Sequence, residues 1–167
     1  MLKRFFPEMY VNSIYEVPYE ELYEKGKKNI VFDIDNTLVP FDIPEPTKEV
    51  LDLFEKLRKM GFEICLVSNN NEKRVSTFNK NLSYNAVHKA GKPKSRGINK
   101  ALDLIKAKPE NTVIVGDQVF TDVWCGNRHN IYTVLVKPIA DRDEFTVKIK
   151  RGIEKIVVKK YENQLKK

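Results

Sequence analysis

The chain has 167 residues, enough for one domain with a substantial hydrophobic core. Its 41% apolar and 32% charged content fits a soluble globular protein, and no stretch approaches the roughly 18 apolar residues that span a bilayer. A net charge of +7 favours anionic partners, whether phosphorylated ligands, nucleic acid or an acidic membrane surface, without choosing among them.

The N-terminal residues 1–28 carry Tyr10, Tyr15, Tyr19 and Tyr23 together with Phe5 and Phe6. They begin like a charged leader, but Glu8 follows at once and no apolar segment of signal-peptide length is present. Cys65 and Cys125 are far apart, with no metal spacing, so a reducing cytoplasmic setting is expected and Cys65 reads as a core residue. Short apolar runs at 30–32, 62–67, 86–87, 112–115 and 131–136 alternate with helical patterns at 47–60, 72–82, 95–106 and 121–128. In the first helix Val50, Leu51, Phe54 and Leu57 recur with helical spacing, Pro46 suits the first turn and Gly61 stops it. This alternation predicts an α/β fold: a doubly wound parallel sheet of about five strands with helices on both faces. Residues 142–167 predict one basic amphipathic helix, with Ile149, Ile153, Val157, Tyr161 and Leu165 recurring every fourth residue. One domain over 1–167 is expected, made of an aromatic leader (1–28), a core (29–140) and this C-terminal helix (141–167).

Polar clusters fall where the predicted strands end. Asp33 and Asp35 follow the first strand, and their i, i+2 spacing turns both carboxylates to one face of an extended chain. Their repulsion calls for a divalent cation or a shared proton. Ser68, Asn69 and Asn70 follow the second strand, Lys92 and Lys94 the third unit, and Asp117, with Asp122 beyond it, the fourth. In a doubly wound fold this edge is where ligands bind. His88 and His129 lack metal spacing and read as structural. Lys137 follows the fifth strand, and Asn127 reads either as a residue supporting the site or as part of a helix C-terminal turn.

The set resembles the haloacid dehalogenase superfamily: a DxDxT motif at Asp33, Asp35 and Thr37, Ser68 after the second strand, Lys92 before the fourth, and GDxxxxD ending in Asp122. The resemblance implies a phosphatase. Asp33 would be the nucleophile and Asp35 the general acid and base. Ser68, Asn69 and Lys92 would bind the phosphoryl group. Asp33, Asp117 and the main-chain carbonyl of Asp35 would hold Mg²⁺, with Asp122 joining or orienting the metal shell. Lys92 is preferred to Lys94 for the phosphate because its Lys-Pro pair fits the family pattern.

Only residues 38–45 separate Thr37 from Pro46, and 69–91 separate Ser68 from Lys92, which leaves no room for a cap domain. An open site suits a bulky or surface-bound substrate. The forms Asp-Asn-Thr-Leu-Val-Pro and Ser-Asn-Asn, with Gly-Asp-Gln-Val-Phe-Thr-Asp, are similar to the capless subfamily IIIA, whose members include phosphatidylglycerophosphate phosphatases. The expected partner is then a phosphorylated substrate with an anionic lipid head group, reached by a cytoplasmic protein in peripheral contact with an anionic membrane. Another phosphomonoester (a nucleotide, a sugar phosphate or a nucleic-acid end) and a non-catalytic scaffold for an anionic partner remain the alternatives. No nucleic-acid reader motif is present.

Overall fold

The computed structural model describes residues 2–140 and 145–165, with the side chains of 145–151 and 165 outside that description. Six strands form one parallel sheet: β1 (Met9–Val11), β2 (Asn29–Phe32), β3 (Glu63–Val67), β4 (Asn85–Val87), β5 (Thr112–Gly116) and β6 (Tyr132–Val136). Their order is β1-β6-β5-β2-β3-β4. The strand absent from the sequence reading is β1, a three-residue edge strand paired through Met9–Val134 and Val11–Val136. It has three residues, lies within the aromatic leader, and follows a turn, Leu2–Phe5.

Alternation along the buried strands explains helices on both faces. Ile30, Phe32, Ile64, Leu66, Val113 and Val115 face one layer; Val31, Cys65, Val67 and Ile114 face the other. The first layer comprises α1 (Tyr19–Glu24), α2 (Lys48–Lys59) and α3 (Glu72–Asn79); Val50, Phe54 and Leu57 of α2 are buried in it, with Phe54 stacked on Phe32. The second comprises α4 (Ser95–Leu104) and α5 (Trp124–Arg128). Helix α2 starts two residues beyond Pro46 because Thr47 caps it, accepting the Val50 N–H at 3.4 Å. Helix α3 stops at Asn79, whose side-chain amide donates to the Tyr84 carbonyl and accepts its N–H. The pattern at 121–128 resolves into a π turn, Val119–Val123, followed by α5.

The aromatic leader packs on the domain. Phe5 meets Phe120 and Trp124 edge-on, Phe6 meets Tyr161, and Tyr19 is buried against Phe62. Asn127 lies in the C-terminal turn of α5, its carbonyl accepting the Asn130 N–H at 3.4 Å, and its side-chain amide donates to the carbonyls of Arg4 and Phe6 at 2.9 and 2.8 Å and so pins the first turn. Helix α6 (Phe145–Leu165) presents Glu154, Val157, Val158 and Tyr161 to the domain, a spacing of i, i+3, i+4, i+7. A repeat of four drifts around a helix of 3.6 residues per turn, so Ile153 of the predicted stripe is half exposed. Ile149 and Leu165 lie outside the described side chains. Among the described residues no helix is long and apolar enough to cross a membrane.

The strand order reverses between β2 and β5, which makes their C-terminal ends the switch point where a doubly wound sheet opens a crevice. Replacing Asn127 by Ala should destabilise the fold by about 1–2 kcal/mol, because two hydrogen bonds to the N-terminal turn are lost. Urea unfolding measures this, and a loss below about 0.5 kcal/mol would mean that the N-terminal turn is held by its aromatic contacts alone.

Candidate active site

Asp33 follows β2 directly, and its N–H continues the ladder to the Val115 carbonyl at 2.9 Å. The chain then leaves the sheet through Asn36, whose positive φ of 64° sets the turn that brings Thr37 back to the strand ends. The Thr37 hydroxyl donates to Asp117 Oδ1 at 3.2 Å, tying the turn after β2 to the residue after β5. Thr37 belongs to the DxDxT motif, yet nothing in the sequence gave this tie.

Lys92 reaches the centre of this edge. Its Nζ donates to Asp33 Oδ1 at 2.7 Å, to Asp122 Oδ1 at 2.6 Å and to the Val67 carbonyl at 2.8 Å. Those three bonds use all three ammonium protons. Lys94, the competing lysine, stands before the first turn of α4 instead. The loop carrying Lys92 is clasped by Asn69, whose side-chain oxygen accepts the Lys92 N–H at 2.7 Å and whose amide donates to the Lys92 carbonyl at 3.1 Å. Asn69 therefore holds Lys92 by its backbone, through the very amide expected on a phosphate. The Lys92-Pro93 peptide is cis.

Asp122 is almost fully buried, with Oδ1 on Lys92 and Oδ2 accepting the Gln118 N–H at 3.1 Å. The carboxylate lies so close to β5 that a Cβ at position 116 would overlap it, which is why glycine stands there. Asp33, Asp117 and Asp122 each bring a carboxylate oxygen within 4.8 Å of the others, all buried. Burial pushes the Asp33 carboxyl up to about 6; Lys92 pulls against this, and Asp122 and Asp35 add to the rise. Burial also works against the Lys92 ammonium, but Asp122 and Asp33 together outweigh it and hold Lys92 above its ordinary value. Three carboxylates facing one buried ammonium form a set of hard oxygen donors with surplus negative charge. This donor set fits a divalent cation such as Mg²⁺.

Asp35 takes a separate position. Its Oδ1 accepts the Arg74 Nε–H at 2.9 Å and its Oδ2 accepts the Asn70 amide at 3.0 Å. Arg74 also donates to the Pro44 carbonyl at 2.8 Å, so one guanidinium fastens α3, the Asp35 carboxylate and the loop that follows the DxDxT turn. Arg74 was not legible in the sequence, since it lies within an ordinary helical pattern. Ser68 is buried, its hydroxyl accepting the Asn70 N–H at 3.0 Å. Asp33, Asp35, Ser68, Asn69, Lys92 and Thr121 line an open cavity of about 280 Å³. The histidines stand apart: His129 Nδ1 lies 2.8 Å from the Cys125 carbonyl, and His88 faces Glu72.

A profile of haloacid dehalogenase-like hydrolases matches residues 40–130, a span that holds Ser68, Lys92, Asp117 and Asp122 and begins after Asp33 and Asp35. The chain is 39% identical to the protein named probable phosphatase YqeG of Bacillus subtilis, covering 95% of this chain and 92% of that one. It is 25% identical to phosphatidylglycerophosphate phosphatase 1 of Arabidopsis thaliana, over 93% of this chain but only 47% of that longer one. An uncharacterized protein from Listeria monocytogenes serotype 4b shares the fold, with a TM-score of 0.56 at 17% identity, covering 71% of this chain and 84% of that one.

Replacing Gly116 by Ala should drive Asp122 off Lys92 and loosen the acidic cluster. Thermal unfolding with and without Mg²⁺ reads the effect: Mg²⁺ should raise the midpoint of the native protein and raise that of the variant by less than half as much. An equal rise in both would separate Gly116 from cation binding.

Proposed function

The chain belongs to the haloacid dehalogenase-like hydrolases and is a phosphatase of that family, and we propose that it hydrolyses phosphatidylglycerophosphate to phosphatidylglycerol with Mg²⁺ as cofactor. The observation that carries the chemistry is the Lys92 ammonium bonded to both Asp33 and Asp122 beside an open cavity. In this reading Asp33 attacks phosphorus, forming an aspartyl phosphate as the bond to the leaving alcohol breaks. Asp35 gives its proton to that leaving oxygen, then takes one from the water that attacks the intermediate and frees phosphate and Asp33. Ser68 and Lys92 face the phosphoryl oxygens, Asn69 aims Lys92, and Asp122 orients it. Mg²⁺ held by Asp33, Asp117 and the main-chain carbonyl of Asp35 would neutralise the phosphoryl oxygens.

The lipid substrate is supported by the likeness to the Arabidopsis enzyme and by the architecture of the edge. The segments where a cap would be inserted hold a loop on one side and α3 with the short β4 on the other, so the cavity stays open to a bulky or membrane-held ester. Peripheral contact with an anionic membrane in the cytoplasm belongs to the same reading. Helix α6 exposes Ile153 and Ile156 beside Lys160, an apolar and cationic face suited to an acidic surface.

Phosphate release from phosphatidylglycerophosphate in mixed micelles, assayed beside soluble phosphomonoesters, tests the reading. Release should require Mg²⁺ and vanish in Asp33→Asn. Turnover of soluble esters without the lipid would exclude the lipid substrate, and no turnover of any ester would exclude the chemistry. Arg74→Ala adds a second expectation, because Arg74 holds the proposed proton donor. An alkyl phosphate needs its leaving oxygen protonated, whereas p-nitrophenolate leaves unaided. The variant should therefore lose about 10²-fold in kcat on alkyl esters and under about tenfold on p-nitrophenyl phosphate. Equal losses on both would make Arg74 structural.

A further inference from the structure

Beyond Asp117 the catalytic edge continues into a groove of about 590 Å³ between α6 and the ends of β1 and β6. Asp117 is a wall of this groove, so the acidic cluster and the groove adjoin. Tyr10, Leu135 and Val158 give the groove an apolar lining. Lys137, Lys155 and Lys159 stand exposed around it. Lys155 and Lys159 lie one turn apart on the same face of α6, and the Lys137 N–H is fixed to the Val11 carbonyl at 3.3 Å, at the end of β1. Two further carboxylates border the groove. Glu154 accepts the Phe120 N–H at 3.2 Å, and Glu162 lies close enough to Tyr10 to help burial raise its hydroxyl pKa.

We infer that this groove is a binding site for a phosphodiester on an aliphatic body, and that it receives the leaving-alcohol part of a substrate whose terminal phosphate sits over Asp33. The inference rests on the phosphatase reading and adds the part of the molecule that the site recognises. Its geometry follows from the sheet. Strand ends lie ~4.8 Å apart, so the end of β6 stands roughly 10 Å from the end of β2, two spacings away. A short glycerol bridge and an extended lysine side chain together cover that gap. A phosphate monoester alone would leave the groove empty. A glycerol linking the monoester to a phosphodiester would place the second anion among the lysines and its carbon skeleton along Leu135 and Val158. The ammonium groups supply what a phosphodiester requires, a compact positive charge with rotatable donors.

The source of the diester, a membrane lipid or a soluble glycerophosphodiester, is separated by experiment. Amide shifts of the protein titrated with glycerophosphoglycerol, a diester that a monoesterase cannot cleave, report the site whether or not the protein turns over. Shifts should concentrate at Tyr10, Val136, Lys137 and Val158, and the Lys155→Ala/Lys159→Ala variant should bind about tenfold more weakly. Shifts absent from these residues, or unchanged affinity in the variant, would overturn the inference even if the phosphatase assays succeed. Turnover gives the second arm. The ratio of kcat/KM for deacylated phosphatidylglycerophosphate to that for p-nitrophenyl phosphate should fall about tenfold in the same variant. A fall confined to the lipid in micelles would assign the lysines to the bilayer surface and also overturn the site. Failure of every ester with the amide shifts intact would count against the phosphatase reading alone.

Discussion

The buried Lys92 ammonium organises this molecule's chemical edge. It joins the residue after β2 to the π turn after β5 through Asp33 and Asp122, and reaches the end of β3 through the Val67 carbonyl. Three strand ends from the centre of the sheet therefore converge on one cation. Removing one partner of such a buried set leaves an uncompensated charge, which costs far more than the net worth of the pair. The surrounding constraints follow from keeping it satisfied: Asn69 clasps the Lys92 backbone, Gly116 leaves space for Asp122, and Gln118 takes up the second Asp122 oxygen.

One ammonium does not balance Asp33, Asp117 and Asp122, and the remaining negative charge would repel a phosphate. A divalent cation held by these carboxylates would remove that conflict. Asp35 has its own cation in Arg74, which keeps it apart from the three clustered carboxylates. Two carboxylates two residues apart thus meet different electrostatic surroundings: Asp33 shares the Lys92 ammonium with Asp122, and Asp35 pairs with Arg74.

Much of the fold was legible because strands and helices announce themselves by period. The five strands other than β1, the helices on both faces and the placement of polar residues on one edge all follow from alternation and spacing. What escaped was set by tertiary contact. β1 exists because its three residues pair with β6, and α6 turns Ile153 outward because its buried face runs through Glu154 and Val157. Motif order grouped Asp33, Asp35, Ser68, Lys92, Asp117 and Asp122, and the fold brings them together: the first four line one cavity, and Asp117 and Asp122 cluster with Asp33. Asn69 was legible as a position, but its amide serves the Lys92 backbone. Arg74, Thr37 and Gly116 acquire their importance from partners distant in sequence, which no local pattern encodes.

In the proposed mechanism Asp33 takes the phosphoryl group, with Lys92 and Asp122 behind it. Acid-quenching the protein during turnover with Mg²⁺ and substrate, then sequencing its peptides by mass spectrometry, tests this directly. A phosphoryl increment on Asp33, absent from Asp33→Asn, is the predicted result. Continued phosphate production with the increment on another residue, or with full activity in Asp33→Asn, would contradict it.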